Sequence, residues 1–211
     1  MQEILYQLFD ACLTKSYREV ENGGSWAFDV SGDRLHLWFQ HSHGMTDWLN
    51  NLRAVAVPYR EMSPPWRCHK GFLSVFKAVL PHVMPLILDP TVKHVCTVGY
   101  SHGAALALLC HEYIWYHRPD LRDSICGYGY GCPRVLYGCV DETLAKRWDH
   151  FYVIRNRGDI VTHLPPRVSG YCHVGRLVEI GNDQKYSPTD AHRPESYLAE
   201  LSQHFKPLGT A

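Results

Sequence analysis

The chain carries no net charge: 21 basic residues balance 21 acidic ones over 211 positions. A protein that grips nucleic acid leaves a basic footprint in its composition, and this one leaves none. No apolar run approaches the ~20 residues of a membrane-spanning helix. The eight cysteines, at 12, 68, 96, 110, 126, 132, 139 and 172, include no Cys-x-x-Cys pair, so the common spacing of redox dithiols and zinc ribbons is missing. Cys96 and Cys110 fall inside apolar stretches, as buried free thiols do. The first ten residues, Met1 to Asp10, have an early acid and no basic segment. They read as an amphipathic helix and not as a secretory leader, with a cytoplasmic location as the default expectation. Linkers, repeats and low-complexity tracts are absent as well. With 45% hydrophobic residues, the chain has material for one full core, and residues 1–211 are expected to form a single domain.

What is present is an alternation of helix-like and strand-like segments. A helix is expected near 2–20. Two strands follow, Ser25–Val30 and Arg34–Phe39, joined by a hairpin-sized turn at Ser31-Gly32-Asp33. Val55-Ala56-Val57 is a further extended run. Gly71 to about Leu88 has a helical pattern, with a kink or break expected at Pro81 and Pro85. Strands are expected at 92–98, Ile125–Gly131, His150–Arg155 and Leu177–Ile180. Helices are expected from 104 to about 117, over Val140–Trp148 and over His192–Phe205. This order predicts an α/β domain with a mixed, mostly parallel sheet flanked by helices.

One junction carries chemistry. Val98-Gly99-Tyr100-Ser101-His102-Gly103-Ala104-Ala105 places Gly-x-Ser-x-Gly between a β-prone run and a long apolar helical run. By composition alone the five-residue pattern would arise by chance in about one chain of this length in fifteen, and the flanking strand and helix make chance the weaker explanation. That context is a nucleophile elbow of the α/β-hydrolase type, a turn so tight that glycines flank the serine. The backbone N–H of His102, at the helix start, is then placed to stabilise an oxyanion. A nucleophilic serine needs a base, and the base needs an acid to orient it. In this topology the acid and then the base follow the serine in the chain. Asp159, just after the strand in Val153–Val161, is the candidate acid. Among later histidines, His163 is too close to the acid, His173 begins a strand-like run and His204 is deep in a terminal helix. His192 remains as the base. Bland readings exist for each: Gly158-Asp159 is ordinary turn chemistry, and His192 could be an exposed helix-start residue beside an Asp190 cap. Two histidines flank Ser42, but no carboxylate or thiolate cluster nearby completes a metal site, so no metal is assigned.

The chain resembles the class 3 lipases, the fungal-type triacylglycerol lipase family. The resemblance runs in order from Phe39-Gln40-His41-Ser42 through Asp47-Trp48 and His69-Lys70-Gly71-Phe72 to the elbow. It continues through Gly131-Cys132-Pro133-Arg134-Val135 and Asp159-Ile160-Val161-Thr162-His163-Leu164-Pro165-Pro166. It implies Ser101 as nucleophile, Asp159 as acid and His192 as base. It also implies an oxyanion hole built from Ser42 and His102, with Asp47, Trp48, His69, Gly71, Pro133 and Arg134 in structural roles. Two positions depart from the family pattern: His41 stands where glycine is usual, and Tyr100-Ser101-His102 stands where His-Ser-Leu is usual. Met45, Trp48, Leu49 and Leu52 fall on one face at helical spacing, and the family carries its lid here. Residues 43–52 are therefore expected to form either a lid or a short core-packed helix, with Met45, Trp48 and Leu49 as substrate-binding candidates. The activity implied is hydrolysis of acyl esters of lipid type, without a cofactor. The partner implied is an ester or lipid substrate, with peripheral contact with lipid aggregates. An acyltransferase on the same triad and a catalytically silent lipid- or partner-binding member are the alternatives.

Overall fold

The hairpin lies toward one edge of the sheet. In the computed structural model, which describes residues 2–41, 55–62, 66–182 and 185–203, helix α1 (Gln2–Thr14) leads to strand β1 (Arg18–Glu19). Strands β2 (Gly24–Ser31) and β3 (Arg34–His41) then pair antiparallel, with Ser31 opposite Arg34. The turn is the two residues Gly32-Asp33, and Gly32 has a φ of 61°, the left-handed conformation such a hairpin needs. Helix α1 is shorter than the expected 2–20 because residues 18–19 leave it to pair with β2.

Strand β4 (Ala56–Pro58), strand β5 (Arg67–His69) and helix α2 (Lys70–Ile87) follow, then strand β6 (His94–Tyr100) and helix α3 (His102–His117). Strands β7 (Ile125–Tyr130) and β8 (Leu136–Tyr137) and helix α4 (Glu142–Ala145) come next. Strands β9 (Phe151–Asn156), β10 (Tyr171–Cys172) and β11 (Arg176–Ile180) and helix α5 (Pro194–Gln203) complete the order. The main sheet runs β1-β2-β3-β6-β7-β9-β11, and β3, β6, β7, β9 and β11 are parallel neighbours. A second, antiparallel sheet in the order β10-β8-β5-β4 was not anticipated from the sequence.

Alternation along the strands divides the core in two. Leu35, Leu37, Phe39 and Val95 join the cluster that contains the apolar residues of α2 and α3. Trp38, Cys96 and Val98 join the one that contains residues of α1 and α5. Successive side chains point to opposite faces, so helices cover both. Helix α3 is buried from His102 to Ile114, as a helix apolar all round must be. Helix α2 is one uninterrupted helix, not the broken one expected. Pro81 and Pro85 are exposed, on the face where carbonyls can lean out to water and the missing N–H groups cost least. It is also the one described helix long and apolar enough to cross a membrane, but Val79, Val83 and Ile87 are core residues. All eight cysteines are free thiols, five of them buried.

One charge pair lies within this core. Arg147 donates to Glu112 Oε1 at 2.6 Å and Trp66 Nε1 donates to the same oxygen at 3.1 Å, with the Glu112 side chain fully buried. Removing the cation from such a pair typically costs about 3–5 kcal/mol, because the carboxylate is left uncompensated. Arg147→Met should lose about that much stability at neutral pH in urea denaturation. Burial already holds the Glu112 carboxyl above its usual range, and without Arg147 it rises further. Between the unfolded and folded values the folded state binds the extra proton, so stability falls as pH rises through that window. The deficit should therefore shrink as the pH is brought down toward about 5.

Candidate active site

Strand β6 ends at Tyr100 and helix α3 begins at His102, so Ser101 alone makes the turn. Its φ of 55° and ψ of −121° make it the one non-glycine residue at positive φ among the described residues. The glycines on either side explain why. A Cβ on Gly99 would lie 2.2 Å from the Gly103 carbonyl oxygen, and one on Gly103 would lie 2.1 Å from that of Phe39. Backbone packs directly on backbone here, and no side chain fits between. The Ser101 N–H donates to Tyr130 O at 2.8 Å, tying the turn to β7. His102 places its amide in the first turn of α3, at the positive end of the helix dipole.

The three candidates from distant parts of the sequence meet. Ser101 Oγ lies 2.8 Å from His192 Nε2, and His192 Nδ1 lies 2.7 Å from Asp159 Oδ2. A carboxylate only accepts, so Nδ1 carries the proton and Nε2 presents its lone pair to the serine hydroxyl. Asp159 and His192 are fully buried, and Ser101 is 9% exposed. Asp159 Oδ1 accepts the Val161 N–H at 2.8 Å, and Oδ2 also accepts from Tyr197 Oη at 2.6 Å. His192 lies in a short 3-10 turn, Asp190–His192, ahead of α5.

Four residues that hold this arrangement were not singled out from the sequence for these roles. Tyr197 accepts the Asn156 N–H at 3.1 Å while donating to Asp159. Burial, and then the Asp159 charge, hold its phenol far above the ordinary tyrosine range, so it stays a donor. Asn156 Nδ2 donates to Ala191 O at 2.9 Å, fastening the end of β9 to the residue before His192. The Tyr100 ring stacks on the His192 ring with centroids 5.2 Å apart, and its hydroxyl donates to the His192 carbonyl. Gly131 has a φ of 58°, and a Cβ there would lie 2.8 Å from His192 Cε1. The Gly131-Cys132-Pro133-Arg134 segment thus does more than order a loop: its glycine makes room for the imidazole. A tyrosine five residues past a histidine has no sequence signal, whereas the Gly131 signal lies in its place directly after a strand.

Other expected positions divide into two groups. His69 Nδ1 accepts the Phe72 N–H at 3.5 Å and caps α2, and Arg134 donates to the carbonyls of His163 and Pro165. Both therefore organise loops. Ser42, Met45, Asp47, Trp48 and Leu49, and the whole 43–52 segment, lie outside the described residues.

The model of the class 3 lipase family matches residues 36–169. The chain belongs to this family. Its relatives include a lipase of Rhizomucor miehei, 31% identical over 147 residues that make up 67% of this chain and 40% of that protein. The structure of the Rhizomucor miehei triacylglyceride lipase superposes with a TM-score of 0.66 at 25% identity, covering 80% of this chain and 66% of that one. Lipase II from Rhizopus niveus gives a TM-score of 0.68 at 22% identity, covering 82% and 67%. The chain thus spans two fifths of the Rhizomucor miehei relative and about two thirds of the solved chains. The α/β-hydrolase fold expected of this class 3 lipase member is borne out.

Tyr197→Phe tests the brace behind the acid. It removes a donor from Asp159 and leaves the buried Asn156 N–H without its acceptor, a change worth about 1–3 kcal/mol. Equilibrium urea unfolding of the two proteins should show a loss of that size.

Proposed function

We propose that the chain is a serine hydrolase of carboxylic esters, acting on lipid-type acyl chains through an acyl-enzyme. The observation that carries the reading is the continuous hydrogen-bonded relay from Ser101 Oγ through His192 to Asp159. Membership of the class 3 lipases, with relatives named as lipases, supports the substrate class.

His192 Nε2 takes the proton of Ser101 as Oγ attacks the ester carbonyl. Asp159 holds the imidazole with its proton on Nδ1 and stabilises the cation that forms. Val161 and Tyr197 fix the carboxylate, so little reorganisation accompanies the proton transfer. The developing oxyanion falls to the His102 amide, with Ser42 as the second donor that the family resemblance implies. Removing such a donor typically costs ~3–4 kcal/mol of barrier. His192 then returns the proton to the leaving alcohol. A water deprotonated by the same histidine attacks the acyl-enzyme and regenerates Ser101.

The test is turnover of p-nitrophenyl esters from acetate to palmitate by wild type and Ser101→Ala. The wild type should hydrolyse at least one chain length, and the variant should be slower by ~10⁴-fold or more. A chain-length optimum at long acyl groups would support the lipid assignment, and one at acetate would overturn it. Folded wild-type protein with no turnover on any ester would overturn the whole reading.

A further inference from the structure

The segment that carries Asp159 is gripped from outside by two cationic or ionisable side chains. Arg134 donates to the carbonyls of His163 and Pro165, and His173 Nε2 lies 2.7 Å from Thr162 O. Beside them is a cavity of about 310 Å³ lined by Arg134, Arg155, Arg167, Cys172 and His173. Arg155 stands at the carboxyl end of β9 and Arg134 follows β7, so the cavity shares the sheet edge that carries the Ser101 turn.

Its charges do not balance. Arg155 pairs with Glu179, which also takes Arg157 at 3.5 Å, so one carboxylate serves two guanidinium groups. Among the described residues Arg134 meets only neutral carbonyls, and the exposed Arg167 has no acidic partner. Burial, and then the charges of Arg155 and Arg167, hold Arg134 below its usual value. A carbonyl only accepts, so His173 Nε2 carries the ring proton toward Thr162 and Nδ1 is a bare lone pair. That Nδ1 is buried and has no hydrogen-bond partner among the described residues. Three guanidinium groups with surplus donors call for a ligand with negative charge and several oxygens. Guanidinium forks match phosphoryl and carboxylate oxygens best, and a tetrahedral group reaches more donors than a planar one. Beside Arg167, Val168 is 98% exposed, an apolar side chain placed where a lipid surface would meet it.

We propose that this cavity binds a tetrahedral oxyanion, the phosphoryl group of a lipid head group or of a soluble phosphate. The site is separate from the serine relay, so Ser101→Ala protein should bind as wild type does, whether or not Ser101 proves catalytic. Binding also involves a proton. Burial, with Arg134, Arg155 and His163 adding to it, pushes His173 down to about 4, and Arg167 and Cys172 complete the wall it faces. An anion in the cavity that His173 lines favours the charged imidazole and raises that value. Between the free and bound values binding takes up a proton, so affinity rises as pH falls, by up to about tenfold per pH unit.

Isothermal titration with sulfate, whose charge is constant from about pH 5 to 8, and with inorganic phosphate tests the site in solution. Sedimentation with phosphatidylcholine vesicles, with and without phosphatidic acid, tests the lipid source. The expected result is saturable binding that weakens about tenfold or more in Arg167→Gln, with unchanged melting as the control for folding. His173→Gln should remove the pH slope for sulfate while keeping a donor for Thr162 O. Sedimentation that requires phosphatidic acid assigns a lipid head group, and equal sedimentation on both vesicles alongside saturable phosphate binding assigns a soluble phosphate. No saturable binding to either ion and none to phosphatidic acid, or binding unaffected by Arg167→Gln, would overturn the proposal. A sulfate pH slope unchanged in His173→Gln would overturn the part given to His173.

Discussion

The close approach of α3 to the carboxyl end of β6 is the constraint on which the rest of the structure depends. Gly99 and Gly103 bring backbone against backbone at distances that admit no Cβ. With so little room, one residue has to reverse the chain, and Ser101 does so at positive φ. Such a conformation costs about 1–3 kcal/mol, and it persists because the helix behind it is buried along most of its length. The strain holds the hydroxyl clear of the sheet and the next amide at the start of a helix.

From that fixed point the other groups need only arrive at the same edge. Strands β6, β7 and β9 are adjacent and parallel, so their carboxyl ends place Ser101, Gly131 and the Asp159 loop side by side. His192 comes from the far end of the chain and is held by four unrelated contacts: Asp159, the Tyr100 ring, the Asn156 link to Ala191 and the space left by Gly131. Inside a buried site each of these polar contacts is strong when made and costly when lost. The brace through Tyr197 and Asn156 therefore contributes to folding as well as to geometry. The cationic cavity outside the same loop is the converse case, where Arg134 and Arg167 meet no carboxylate among the described residues.

What could be read from the chain was local or periodic. The elbow announces itself because strand, glycine, serine, glycine and helix are contiguous. The hairpin does so because Gly32-Asp33 sits between two alternating runs. Asp159 and His192 were reachable because chain order and strand ends limit the choices. The second sheet was not legible, since its strands are two or three residues long and pair Cys68 with Leu136 and Tyr137 with Tyr171. Pairings that distant leave no period in so short a run. The prolines of α2 misled for a different reason: their cost depends on which face of the helix they occupy, and that is set by tertiary burial. Tyr197 and Asn156 are ordinary residues locally and acquire their roles only when the strands and the last helix converge.

The measurement that tests this account most directly is treatment of the folded protein with an alkyl fluorophosphonate, followed by mass spectrometry of its peptides. Wild type should carry a single phosphonate on Ser101, and Asp159→Asn should acquire it far more slowly because its histidine loses the required tautomer. Modification at another residue, or no modification of folded wild type, would contradict the claim that the strained turn at Ser101 presents an activated nucleophile.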